Sequence, residues 1–187
     1  MKRIILGSAS PRRRELLHKL LPVFDVTAGT AEERSPFVRP HARVMDLART
    51  KAESLPLSDG AIIIAADTLV YRKGRYYGKP KDREDARRML ADLSGRSHAV
   101  YTGVCLRSKE REMLFYDRSE VYFKTLSAEE IERYLTEYAP FDKAGAYGIQ
   151  DGVVVARYRG SFDNIMGLPT EKLGEALVEM GVGNVHK

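Results

Sequence analysis

The sequence predicts a mixed α/β fold, a β-sheet flanked by helices with its site along one end. Three observations predict it. Strand and helix patterns alternate through the first half, and two long strand patterns follow as a hairpin in the second. The run Ala61-Ile62-Ile63-Ile64-Ala65-Ala66 is continuous, β-branched and apolar, as a strand buried on both faces requires. At 187 residues the chain fits one domain, 1–187, with room for a sizeable core.

The elements follow in order. Arg3-Ile4-Ile5-Leu6 reads as a short strand, and Gly7-Ser8-Ala9-Ser10 as a polar turn into a helix over roughly Pro11 to Leu20. Ser10 suits the N-cap, and Pro11 the first helical position, where its missing N–H costs nothing. Val23 to Ala28 predicts a second strand and Gly29 to Ser35 a loop. Pro40 opens a helix to about Leu55, with Val44, Leu47, Ala48, Ala52 and Leu55 at helical spacing and Lys51 at the edge of that stripe. After the Ala61–Tyr71 strand, Lys73-Gly74 marks a hairpin turn, and Arg75 to Gly78 returns towards Lys79-Pro80.

Asp82 caps a helix over about Arg83 to Leu93, which Ser94-Gly95 ends. Ser97 to Arg107 and Glu112 to Thr125 pair around the charged turn Ser108 to Arg111. Ser127-Ala128-Glu129-Glu130 is a capping box for a helix to about Tyr138. Gly145, Gly148 and Gly152 fall in a small-residue segment that lets the backbone approach a ligand closely. It lacks the G-x-x-x-x-G-K-[ST] pattern of a P-loop. Val153 to Arg159 is a strand, Gly160 to Asn164 a turn, and Thr170 starts a last helix to about Met180.

Composition excludes several classes. Hydrophobic residues make up 43% and charged residues 30%, ordinary for a soluble globular chain, and the net charge of +5 favours anionic partners. Cys105 is the only cysteine, so no intramolecular disulfide or cysteine cluster for zinc forms, which fits a reducing cytoplasm. No apolar window approaches a membrane span and Ile4–Leu6 is too short for a signal peptide. His18, His41, His98 and His186 have no metal-ligand spacing, and no serine-hydrolase elbow is present.

The chemistry-bearing residues stand against this background. Arg12, Arg13 and Arg14 oppose the helix macrodipole at the first turn, a conflict that suggests a phosphate site; a solvated basic turn is the alternative. Asp67 interrupts an apolar strand, where a carboxylate is costly unless paired, bound to a metal or used at the strand end to bond backbone N–H groups. Lys51 and Lys79 are further cations, and Glu33 is a second acid. Carboxylates for a hard divalent cation, with Arg and Lys for phosphate oxygens, suit phosphoryl chemistry on a nucleotide.

With these parts assembled, the chain resembles the Maf-like nucleoside triphosphate pyrophosphatases. The resemblance is carried by Ser8-Ala9-Ser10-Pro11-Arg12-Arg13-Arg14-Glu15-Leu16-Leu17, Glu32-Glu33, Thr50-Lys51-Ala52, Ala66-Asp67-Thr68 and Gly78-Lys79-Pro80. Leu93-Ser94-Gly95, Tyr101-Thr102-Gly103-Val104, Lys143 to Gln150 and Gly167-Leu168-Pro169 continue it in the same order. It implies an elongated, Maf/ITPase-like mixed sheet with the active site in a cleft at one end. It also implies cleavage of a nucleoside triphosphate between the α and β phosphates, giving the monophosphate and pyrophosphate.

By the same resemblance Asp67 is the general base. Glu33, or its neighbour Glu32, holds Mg²⁺ or Mn²⁺, with Asp67 as a second ligand in competition with its base role. Ser8, Arg13, Lys51 and Lys79 hold phosphates. Arg12, Thr68 and Gln150 match the dTTP and UTP branch, in which an amide at Gln150 presents a donor and an acceptor to the pyrimidine edge. Arg14 receives no role. The resemblance also implies a homodimer, and no stable nucleic-acid partner and no membrane association are expected. The other readings are 7-methyl-GTP or modified pyrimidine nucleotides as substrate, and a non-catalytic septum-formation or nucleic-acid regulator built on Arg12–Arg14.

Overall fold

The β-branched run forms the first half of a twelve-residue strand, and its side chains from Ala61 to Asp67 are all buried in a computed structural model that describes residues 2–186. The elements in chain order are β1 (Arg3–Leu6), α1 (Pro11–His18), β2 (Asp25–Val26), α2 (Pro40–Glu53), β3 (Ala61–Arg72) and β4 (Arg75–Tyr77). They continue as α3 (Arg83–Leu93), β5 (Ser97–Arg107), β6 (Glu112–Phe123), α4 (Ala128–Tyr138), β7 (Val155–Arg159), α5 (Phe162–Met166) and α6 (Thr170–Glu179). The strands make a seven-stranded mixed sheet ordered β2-β1-β3-β5-β6-β7, with β4 paired to β3. Among the described residues no helix is long and apolar enough to cross a membrane.

Chain segments interleave into two compact units. The first holds the residues up to Asp67, then Thr102–Asp117 and Gly167 onward; the second holds Thr68–Tyr101 and Arg118–Met166. In the first, β1 runs parallel to both neighbours, with Ile5 opposite Asp25 and Ile63. Ile5, Ile63, Ala65 and Cys105 pack with Ala48, Ala52 and Leu55 in one apolar cluster. Leu16 and Leu17 of α1, and Leu173 and Leu177 of α6, are also buried. The alternate strand residues Ile4, Leu6, Ile62 and Ile64 are buried too, which is why β3 tolerates no polar residue before Asp67.

In the second unit, Lys73 and Gly74 both take positive φ, and the two-residue loop closes β3 on β4 with Arg72 opposite Arg75. Asp82 accepts from the Asp85 N–H to cap α3, and the Ser127–Glu130 capping box starts α4. Arg83 and Arg87 of α3 both pair with Glu132 of α4. β6 and β7 run antiparallel with a bulge at Tyr122/Phe123.

Several boundaries differ from the sequence reading, such as α2 ending at Glu53 and β7 starting at Val155, and three of the differences have a local physical reason. The strand expected over Val23–Ala28 is only Asp25–Val26, because its side chains are exposed and, among the described residues, only the end of β1 offers it backbone partners. α1 stops at His18, where Lys19 N–H turns to the Leu16 carbonyl in a tighter final turn. The Gly160–Asn164 turn leads directly into α5, whose Asn164 is fully buried and donates to the Val100 carbonyl and Ser119 Oγ.

Candidate active site

The site of the first unit is built on the last buried residue of its central strand. Asp67 is 6% exposed at the end of an otherwise apolar run. A carboxylate there requires a partner. Lys51 Nζ donates to Asp67 Oδ1 at 2.6 Å, while Asp67 Oδ2 is buried with no hydrogen-bond partner among the described residues. One oxygen is therefore committed and the other is not.

Lys51 reaches this point from the edge of the buried face of α2. Ala48 and Ala52 fix that face against the sheet, and Lys51 lays its stem along it, leaving its side chain 19% exposed. Glu33 Oε1 lies 3.0 Å from the same ammonium group. The loop bearing Glu33 passes close to the end of α2 at Gly29, where a Cβ would stand 2.4 Å from Ser54 Oγ. Glycine permits that approach. Glu32 instead lies 3.8 Å from Arg34 with its side chain 81% exposed, so Glu33 is the acid at Lys51.

The opening turn supplies the next cation. Ser10 Oγ accepts from the Arg13 N–H at 3.4 Å, a long cap, and Pro11 occupies the first helical position. Arg13 Nε donates to the Gly167 carbonyl at 2.9 Å and Nη1 to Ser8 Oγ at 3.3 Å. Ser8 Oγ also accepts from the Ser10 N–H, so the serine braces both the turn and the guanidinium. Burial lowers the Arg13 pKa from its ordinary value, and the negative charge of Asp67 offsets part of that effect. Arg12 is half-buried on the same helix and Arg14 is exposed.

The first unit thus brings Ser8, Arg13, Glu33, Lys51 and Asp67 into one connected neighbourhood. Thr68, Lys79 and Gln150 belong to the second unit. Thr68 is half-buried on β3 directly after Asp67. Continuing the Val70–Tyr77 register brings exposed Lys79 back to the level of Thr68. Gln150 is exposed in the turn Ile149–Asp151.

Behind that turn is a residue whose importance the sequence does not reveal. Tyr134 of α4 is 1% exposed; its hydroxyl donates to Asp151 Oδ2 at 2.6 Å and accepts from the Gly148 N–H at 3.0 Å. A Cβ on Gly148 would stand 2.9 Å from both Asp151 Oδ2 and Gln150 Nε2. Tyr134 therefore sets the backbone that carries Gln150. Its helical spacing with Ile131 and Leu135 marks it only as a core residue.

Two glycines of the quoted motifs also acquire work. A Cβ on Gly103 would fall 2.3 Å from the Val44 carbonyl carbon and oxygen, so its absence lets β5 and α2 touch backbone to backbone. Gly167, at φ 124°, turns its carbonyl to Arg13.

A buried carboxylate beside a lysine, a second carboxylate and a braced arginine is an arrangement of the class suited to holding phosphate oxygens and activating a nucleophile beside them. The chain belongs to the Maf-like protein family, whose sequence model matches residues 3–180. It is 44% identical over 191 residues to the dTTP/UTP pyrophosphatase of Porphyromonas gingivalis, covering 97% of this chain and 96% of that one. It is 47% identical to that of Geotalea uraniireducens over 95% of both chains, and 42% identical to that of Bacillus cytotoxicus over 100% of both. Solved structures of Ham1 proteins from Staphylococcus aureus and Coxiella burnetii share the fold. Their TM-scores are 0.53 and 0.50, at 14% and 15% identity over 97% and 96% of this chain and 100% of theirs.

Proposed function

We propose that this protein hydrolyses dTTP and UTP between the α and β phosphates, releasing pyrophosphate and the nucleoside monophosphate. The observation that carries the reading is the buried Asp67 carboxylate, whose Oδ1 is held by Lys51 while Oδ2 is left without a partner. The full-length relatives named dTTP/UTP pyrophosphatase support the substrate class. Asp67 Oδ2 takes a proton from water, and the water oxygen bonds to the α phosphorus as the bond to the bridging oxygen breaks. The electron pair of that bond leaves with pyrophosphate. Lys51 and Arg13 neutralise charge on the phosphate oxygens, and Ser8 keeps Arg13 in position.

The residues fit a divalent cation. Two carboxylates, Glu33 and Asp67, converge on the Lys51 ammonium, and a magnesium-type ion is commonly held by one or two carboxylates with substrate phosphates completing its shell. Among the described residues there is no cluster of three or more acidic, histidine or cysteine ligands, so an all-protein cage is not the fit. When bound, Mg²⁺ or Mn²⁺ would supply further neutralisation of the phosphates and make water more acidic. The two oxygens of Asp67 let the residue keep Lys51 while it serves the reacting side.

Arg12, Thr68 and Gln150 are proposed to select the base, with Lys79 on phosphate. A cytoplasmic location and a homodimer complete the proposal. A nucleotide panel read for pyrophosphate, with Mg²⁺ and with EDTA, tests it. The expected result is metal-dependent pyrophosphate from dTTP and UTP. Release of orthophosphate instead, or an equal or higher kcat/KM for 7-methyl-GTP, would overturn it.

A further inference from the structure

The second unit contains a cavity of about 470 Å³ where the β3–β4 turn, the start of β5 and the middle of β6 meet. It shares no residue with the Lys51–Asp67 neighbourhood. Its walls carry Arg72, Lys73, Arg96 and Arg118 with one carboxylate, Glu120. Such crowding of like charge is unfavourable without an anion.

The contrast with other arginines of this chain is informative. Arg3, Arg49, Arg75, Arg83, Arg87 and Arg111 each meet a carboxylate. Among the described residues Arg72, Lys73 and Arg118 have no such partner, and Arg118 instead donates to the Tyr101 hydroxyl with its guanidinium 5.9 Å from that ring's centre. Arg96 is engaged through Asp92 on one side of its fork.

Two tyrosines line the same cavity, Tyr71 and Tyr101, in a row that starts from Tyr76 outside its lining. Tyr76 of β4 lies 5.2 Å from Tyr71 of β3, and Tyr71 lies 6.4 Å from Tyr101 of β5, edge to face. With Arg118 the row crosses four strands. Tyrosine faces take a planar ring, and guanidinium forks take phosphate oxygens two at a time. Glu120, repelled by a phosphate, is suited to accept from sugar hydroxyls. The volume falls in the range of a site for one small molecule rather than a strand.

We propose that this cavity is a second binding site for a nucleoside monophosphate, with the base against Tyr71 and Tyr101 and the phosphate between Arg72 and Arg118. The site does not depend on the pyrophosphatase reading, since neither Asp67 nor Lys51 takes part in it.

The test is calorimetric titration of the full chain with UMP, using the wild type and an Arg72→Gln/Arg118→Gln variant whose fold is checked by thermal unfolding. The wild type is expected to bind two equivalents. The variant is expected to keep one and to weaken the other by about 10- to 100-fold, the scale of losing charge-assisted hydrogen bonds, with pyrophosphate release unchanged. Ribose 5-phosphate is expected to bind the second site at least about tenfold more weakly than UMP, because it lacks the stacked ring.

An equal number of UMP equivalents in the wild type and the variant would overturn the site, whereas a single wild-type equivalent that the variant loses would leave the site standing and count only against UMP binding beside Asp67. Equal affinity for ribose 5-phosphate would overturn the role of the tyrosines. A thymidine dodecamer that binds through Arg72 and Arg118 where UMP does not would assign the groove to a strand. A dimer that falls apart in the variant would assign it to a second copy of the chain.

Discussion

Replacing Lys51 by methionine keeps most of its volume and removes the charge that holds Asp67. The two groups are 2.6 Å apart, with side chains 19% and 9% exposed. At an effective dielectric of about 20, charges at that separation attract by about 6 kcal/mol, and desolvation offsets much of this. Removing one partner alone leaves the other charge buried, which costs about 3–5 kcal/mol. Asp67 is the more vulnerable partner, because its Oδ2 already lacks a hydrogen bond. Asp67→Asn should cost much less, since Lys51 keeps Glu33 at 3.0 Å. In the Lys51→Met background, Asp67→Asn should restore about 2 kcal/mol or more. Urea unfolding of all four proteins at neutral pH measures the cycle, with equal m-values confirming a common unfolding reaction. A Lys51→Met protein within 1 kcal/mol of wild type, or strictly additive single changes, would refute the buried pair.

Gly103→Ala places a Cβ 2.3 Å from the Val44 backbone, where neither element can yield by a rotamer change, so it should destabilise by at least about 1–3 kcal/mol in the same assay. Tyr134→Phe removes one donor and one acceptor at the Gln150 turn. It should cost about 1–3 kcal/mol and raise KM for dTTP more than it lowers kcat. His98 is buried against Phe123 and Tyr147, with Nε2 on the Tyr147 hydroxyl, and burial, helped by Arg72, lowers its pKa to about 3 from 6.5. The unfolded chain therefore binds the extra proton first, and stability should fall as pH drops from about 6.5 towards 3, by up to about 1.4 kcal/mol per unit. His98→Gln should flatten that slope by about one proton in urea titrations at successive pH values.

What the sequence displayed, it displayed through periodicity and through violations of it. The β3 run, its interruption at Asp67 and the position of Lys51 at the edge of a helical stripe are all local patterns, and each found its place. Arg13 fitted the same logic, since three arginines at a helix start conflict with the dipole and one of them is braced by Ser8 and Gly167. The approach of Glu33 to Lys51 depends on a loop with no period, and β2 shrank because its residues face outward. Gly103, Gly167 and Tyr134 act through contacts with Val44, Arg13 and Gly148, partners that no spacing rule connects. The base-selecting role proposed for Gln150 rests on the family resemblance, because an exposed glutamine has no signature of its own.

Asp67 Oδ2 is proposed to drive pyrophosphate release. This role is tested most directly by single-turnover kinetics of dTTP with the wild type and Asp67→Asn, each at saturating Mg²⁺ and with dTTP affinity measured in parallel. Pyrophosphate formation is expected to slow by about 10²- to 10⁴-fold, the contribution of a positioned general base, with the protein folded and dTTP still bound. Pyrophosphate formed by Asp67→Asn at the wild-type rate would contradict it.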